Sequence, residues 1–231
     1  MASSRPIILE RSGTAVQVVR QLPRTDKEAH AATGASRGAA APRVPGRAPA
    51  AWCLDTLRGR FLEISTPAVS MTAAASLILD SQHRGEPAAW VALQDSTFFP
   101  PDFAACGIDL ESLPVVRVPH LLSAARAGEQ LLRSGGFGII VLDLGSEIDM
   151  RIAVQARLAA LARKHHTALL CLTHKEPAVP SLGPLVSLRA QGVIHKTGFD
   201  RFTWELEILR DKRHGLGWHH TEVYRGPDGL C

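Results

Sequence analysis

The sequence predicts one α/β domain: a mostly parallel sheet flanked by helices, closed by antiparallel edge strands toward the C-terminus. Three observations predict it. The chain has 231 residues, 45% of them apolar, enough for a single hydrophobic core. From residue 60 to residue 172, short apolar runs alternate with stretches of helical spacing, the pattern of strands joined by crossover helices. The run GIIVLD over 138–143 is almost wholly apolar and ends in a carboxylate, as a strand buried on both faces does.

The elements follow in order. Residues 60–64 predict a strand, 72–82 a helix, 88–93 a strand, 103–113 a short helical or turn stretch and 115–118 a further strand. A helix over 121–133 is stopped by Gly135 and Gly136. After the strand at 138–143 come a helix over 148–165 and a buried strand at 168–172. The segments 185–189, 192–196, 203–210 and 219–224 then read as consecutive antiparallel strands along the sheet's edge.

Upstream of this domain the composition changes. Residues 24–51 are Ala, Gly, Pro and Arg with almost no large apolar side chain, a composition that cannot offset the entropy of ordering, so a basic linker is expected there. Residues 1–23 precede it as a short element rich in Ile7, Ile8, Leu9, Val16, Val18, Val19 and Leu22, suited to docking on the domain or on a partner. The core is expected over 52–231. The formal charge of +4 is uneven: residues 1–51 hold eight basic and three acidic residues, leaving 18 and 19 for the rest. The basic character belongs to the tail.

Several function classes are disfavoured. No apolar run approaches twenty residues and no charged-then-apolar signal follows Met1, so a soluble cytoplasmic protein, nucleoid-associated and without membrane contact, is expected. Cys53, Cys106, Cys171 and Cys231 are far apart and read as free thiols. Seven of the ten histidines fall at or after His165, but neighbours such as His219 and His220 on a strand point to opposite faces, so no metal site and no cofactor is expected.

In such a sheet, phosphate binds at the loop leaving the first strand. That loop reads STPAVSMT over 65–72. A working phosphate loop, G-x-x-x-x-G-K-[ST], needs glycines to curl N–H groups round the phosphates, a lysine to neutralise them and a hydroxyl for magnesium. At those positions stand Ser65, Ser70, Met71 and Thr72, and only the hydroxyl remains.

The segments FLEI (61–64), PDFAACGIDLESL (101–113) and LLRSGGFGIIVLD (131–143), in this order and spacing, resemble the RecA-type P-loop ATPase core. The resemblance implies that Asp143 is the Walker B aspartate. It also sets Gln94, beside Asp95, at the water-activating glutamate, and Thr173 and His174 at the γ-phosphate-sensing Asn-Gln pair. With the lysine, glutamate and sensor replaced, ATP hydrolysis is not expected. The strand end RDKRH (210–214) matches the family's Lys-Asn-Lys strand, which makes Arg210, Lys212, Arg213 and nearby Trp218 a candidate partner interface. The connections corresponding to the family's DNA-binding loops, 144–149 and 175–182, are short, and the chain holds one tyrosine, so DNA binding is expected to be weak or indirect.

CLDTLRGRFLEI over 53–64 further resembles the ImuA family, RecA-like and SulA-like proteins of damage-induced mutagenesis. That resemblance implies a noncatalytic adaptor in SOS-induced translesion synthesis whose partners are RecA, an inactive Y-family polymerase paralogue and a second copy of the chain. Two alternatives stand beside it: a SulA-type inhibitor of cell division, and a divergent ATPase drawing charge from Lys175 or Lys196.

Overall fold

A computed structural model describes Val18–Val19 and residues 51–225, apart from 95, 97, 147, 148, 177, 197, 199, 200 and 216. The linker expected over 24–51 and Cys231 lie outside the described residues, apart from residue 51, and of the N-terminal element only Val18 and Val19 lie within them.

The sheet is built from β1 (Val18–Val19), β2 (Phe61–Ile64), β3 (Ala88–Leu93), β4 (Val115–Val118), β5 (Ile139–Asp143), β6 (Ala168–Leu172), β7 (Leu188–Lys196), β8 (Arg201–Asp211) and β9 (His219–Arg225). Their order is β1-β9-β8-β7-β2-β6-β5-β3-β4. Strands β2 to β7 are parallel; β8, β9 and β1 continue the sheet antiparallel. The strands β2, β3, β5 and β6 are buried along their whole length, because helices cover both faces.

The helices are α1 (Leu54–Leu57), α2 (Pro67–His83), α3 (Pro100–Ala105), α4 (Leu121–Ser134) and α5 (Ile152–Lys164). On one face α2 packs its alanines against Leu62, Ile64, Trp90, Val141 and Leu170. On the other, α4 and α5 cover Phe61, Val91, Ile140, Leu142 and Leu169. Short α1 is pinned to α2: the Trp52 indole donates to the Ala73 carbonyl at 3.1 Å, and the Leu54 amide to Asp80 Oδ2 at 2.9 Å. Helix α4 opens on His120, whose ring accepts from the Ser123 amide at 3.2 Å. It ends at Gly135 with φ +70°, the left-handed cap that favours glycine; the His165 ring packs against the space a side chain would need there.

Three expectations need correction. Helix α2 starts at Pro67, not at residue 72: proline without an N–H suits the first helical turn, so the loop after β2 is only Ser65 and Thr66. Helix α5 begins at Ile152, four residues later than expected. The separate antiparallel strands expected at 185–189 and 192–196 are one strand, β7, which runs through Ala190 and Gln191 with an irregularity between Arg189 and Ala190 and is parallel to β2 on one side and antiparallel to β8 on the other.

Among the described residues no helix is long and apolar enough to cross a membrane.

Candidate functional site

The parallel strands deliver Ser65, Gln94, Asp143 and His174 to one edge of the sheet, at the carboxyl ends of β2, β3, β5 and β6. In open α/β sheets this edge carries the ligand. The backbone of Ser65, where the phosphate turn was expected, is committed to its neighbours in the sheet. The Ser65 amide donates to the Ala190 carbonyl at 3.0 Å, and the Ser65 carbonyl accepts from the Lys175 amide at 2.9 Å. Its hydroxyl also donates to Ala190, at 3.3 Å. Thr66 Oγ1 accepts the Gly192 amide at 2.7 Å.

Helix α2 fills the remaining space. A Cβ built on Gly192 would overlap the Val69 side chain, so the first turn of α2 lies directly on β7, and glycine in the strand is the condition for that approach. Ser70 is buried in the same turn. Met71, expected at the position of a phosphate-loop lysine, is half-buried and packs on the apolar core. Thr72 is half-buried within α2, and no hydrogen bond joins it to Asp143 among the described residues.

Asp143 is 2% exposed and accepts a short hydrogen bond from the Ser96 hydroxyl. Ser96 Oγ in turn accepts the Phe98 amide at 3.1 Å. Burial pushes the Asp143 carboxyl above its usual range; the Ser96 hydroxyl, the His174 ring, the Gly145 amide and Arg117 offset this only in part. His174 is exposed, its amide donating to the Gly145 carbonyl at 2.7 Å. Gln94 is exposed in a turn, and Asp95 lies outside the described residues. The expected set therefore shares one edge of the sheet.

A buried carboxylate was not anticipated. Glu63 stands mid-strand in β2 with an inaccessible side chain, and it accepts from Thr173 Oγ1 at 3.1 Å, Lys175 Nζ at 3.0 Å, Ser181 Oγ at 2.6 Å and the Leu182 amide at 3.0 Å. Arg189 Nε lies 4.0 Å away on β7. These bonds fold the connection between β6 and β7 down onto the sheet. Lys175 also donates to the Pro180 carbonyl at 3.2 Å and is 2% exposed along its side chain. A charged residue inside an apolar strand is the signal that could have revealed the cluster, since buried charges need partners.

The second expected set sits at the opposite edge, where β8 ends. Asp211 is its centre: it pairs with Arg60 at 2.5 Å and accepts from the Arg213 amide at 2.7 Å, the Trp218 indole at 3.1 Å and the His214 ring at 3.0 Å. Burial works against the Asp211 charge, but the Arg213 and His214 amides and the Arg60 guanidinium outweigh it and hold the carboxyl below its usual range. Trp218 is half-buried against the core. Arg210 is half-buried in β8, opposite Arg189. Lys212 and Arg213 are exposed and, with Arg60, Arg163 and Ser187, line a cleft of about 220 Å³. Burial and the nearby Arg210 charge lower the basicity of Lys212.

Among the described residues no group of three His, Cys, Asp or Glu side chains is placed to hold a metal. Cys53, Cys106 and Cys171 are free thiols; burial pushes Cys171 well up.

No family model matches the chain. Over 118 residues it is 32% identical to the protein RecA of Picosynechococcus sp. (strain ATCC 27264 / PCC 7002 / PR-6), a match covering 46% of this chain and 34% of that protein. The chain thus spans about a third of the length of the relative it matches. Together with a mostly parallel sheet flanked by helices and extended by antiparallel C-terminal strands, this likeness makes the chain a distant relative of RecA.

Proposed function

We propose that this chain is a noncatalytic RecA-like adaptor in SOS-induced translesion DNA synthesis, of the kind the ImuA resemblance implies, which associates with RecA and with an inactive Y-family polymerase paralogue. One observation carries the loss of catalysis. The turn from β2 into α2 commits the Ser65 amide and carbonyl to Ala190 and Lys175 and the Thr66 hydroxyl to Gly192, and Val69 occupies the adjoining space against Gly192. A phosphate group would find no lysine side chain in this turn. The two lysines that a divergent ATPase would draw on are poorly placed: Lys175 is bound to Glu63, and Lys196 lies at the far end of β7.

The adaptor role rests on what the fold keeps. Arg210, Lys212 and Arg213 stand at the edge opposite the altered turn, so a RecA-like protomer can be met on that face without nucleotide chemistry in this chain. Partner capture uses purified RecA on single-stranded DNA, with the full chain added at micromolar concentration, followed by co-sedimentation and strand exchange. Co-sedimentation with RecA, weakened by Lys212→Glu and Arg213→Glu together, supports the reading. Absence of both binding and any effect on strand exchange refutes it. Inhibited polymerisation of the tubulin-like division protein would instead favour the SulA-type alternative.

A further inference from the structure

At the amino end of the sheet, opposite the altered turn, three segments meet around the cleft of about 220 Å³, and every residue lining it lies within the described chain. Gly59, at φ +65°, turns the chain into β2 beside the Arg163 backbone at the end of α5. Strand β8 runs antiparallel to β7, which brings its exit to the same place. One step past the pair Leu188 and Asp211, the Lys212 amide donates to the Ser187 carbonyl at 2.9 Å. Arg163, Lys212 and Arg213 are exposed around this cleft, and among the described residues none of the three has an ion-pair partner. Lys212 Nζ donates to the neutral Pro184 carbonyl and Arg213 Nη1 to that of Arg58 at 3.4 Å.

No Asp or Glu lines the cleft. Arg60 lines it too, but its charge is matched by Asp211, whose side chain is inaccessible. Three positive charges thus stand together unmatched, although residues 52–231 hold 18 basic and 19 acidic residues. Such a concentration draws a ligand of opposite sign. The rest of the wall is apolar, from Phe61, Ala159 and Leu185, and cations beside apolar surface select a ligand with both characters. A carboxylate accepts from the guanidinium forks and the ammonium, while an aliphatic side chain next to it covers the wall. A phosphate group would satisfy the charges alone and leave the wall wet. The volume is below the roughly 300–1,000 Å³ of pockets that enclose a whole small molecule, so the cleft receives one or two side chains projecting from a larger partner.

We propose that this cleft docks an acidic segment of a partner protein, a carboxylate set beside an aliphatic residue, with Arg163, Lys212 and Arg213 as its receptor. Such docking extends the adaptor reading, on whose partner face it rests; its measurement contains no RecA, so the two fail separately. A labelled, end-blocked peptide alternating glutamate with leucine is titrated with the full chain and followed by fluorescence anisotropy, at low and at physiological salt. Saturable binding is expected, weaker at the higher salt and about tenfold or more weaker for the same peptide with glutamine in place of glutamate. Arg163→Gln with Lys212→Gln and Arg213→Gln should cost a similar factor. Arg126→Gln with Arg151→Gln and Lys196→Gln, an equal charge change elsewhere on the domain, should leave binding unchanged. All six side chains are exposed, so the variants should unfold close to the wild-type temperature. No binding of the acidic peptide overturns the proposal, as do equal binding of the glutamine peptide, binding that the cleft variant retains and equal losses in the two variants. A short single-stranded oligonucleotide that displaces the labelled peptide at lower concentration than the unlabelled peptide does also overturns it, assigning the cations to phosphate.

Discussion

Lys175 Nζ lies 3.0 Å from Glu63 Oε1, a pair 112 residues apart in sequence whose side chains are 2% and 0% exposed. In this position the lysine neutralises a carboxylate within the sheet and holds the connection after β6 against it. Removing one member of a buried pair leaves an uncompensated charge, which costs about 3–5 kcal/mol. Lys175→Met is therefore expected to lower the unfolding free energy by about 3 kcal/mol, reduced by the bonds Glu63 keeps to Thr173, Ser181 and Leu182. The double variant Glu63→Gln with Lys175→Met should lose less than the two single changes combined, measured by urea denaturation.

Gly192 gives the altered turn a second test. Alanine there meets Val69 in a packed contact, and overpacking costs about 1–3 kcal/mol. Gly192→Ala should be destabilising even though alanine is ordinarily the better strand residue. Adding Val69→Ala should recover part of the loss, because it clears the same space. Thermal unfolding of the three variants checks the coupling.

The two aspartates predict opposite pH behaviour. Asp143 is held above its usual range by burial, so the native state binds that proton more tightly than the unfolded chain does. Its contribution is present below the ordinary aspartate value and lost as pH rises through the raised one. Asp143→Asn should therefore gain on the wild type across that interval and hold a constant advantage above it. Asp211 is held below its usual range, so its contribution is present above the ordinary value and lost as pH falls through the depressed one. Asp211→Asn should be destabilising at neutral pH, and its deficit should shrink in acid. Denaturation at a series of pH values reads both signs.

Where local pattern decided the structure, the sequence could be read closely. The strands Ala88–Leu93, Val115–Val118 and Ala168–Leu172 have the expected bounds because each apolar run is cut off by turn residues. The start of α2 was not legible, since Pro67 reads as a loop residue as readily as a first helical one. Gly192 reads as the first residue of a strand, and only the approach of Val69, 123 positions away in sequence, explains why that residue is glycine. The altered phosphate turn was visible residue by residue. The reason it is closed was not, because that depends on Ala190, Lys175 and Gly192 meeting Ser65 and Thr66 across the sheet. The Glu63 cluster was missed on the same ground, since Thr173, Lys175, Ser181 and Leu182 all come from a distant segment; at Asp211 only Arg60 is distant, and Arg213, His214 and Trp218 are local.

Whether the carboxyl edge holds a nucleotide separates a noncatalytic chain from a working ATPase. Isothermal titration of the full chain with magnesium and ATP, and separately with ADP, at protein concentrations of roughly 50 µM, measures this directly; a site with Kd near 10 µM corresponds to about 7 kcal/mol of binding free energy and gives a clear isotherm. The closed turn predicts no saturable binding of either nucleotide and no hydrolysis above background. Saturable binding with hydrolysis that Asp143→Ala abolishes would contradict it and restore the chain to the working ATPases.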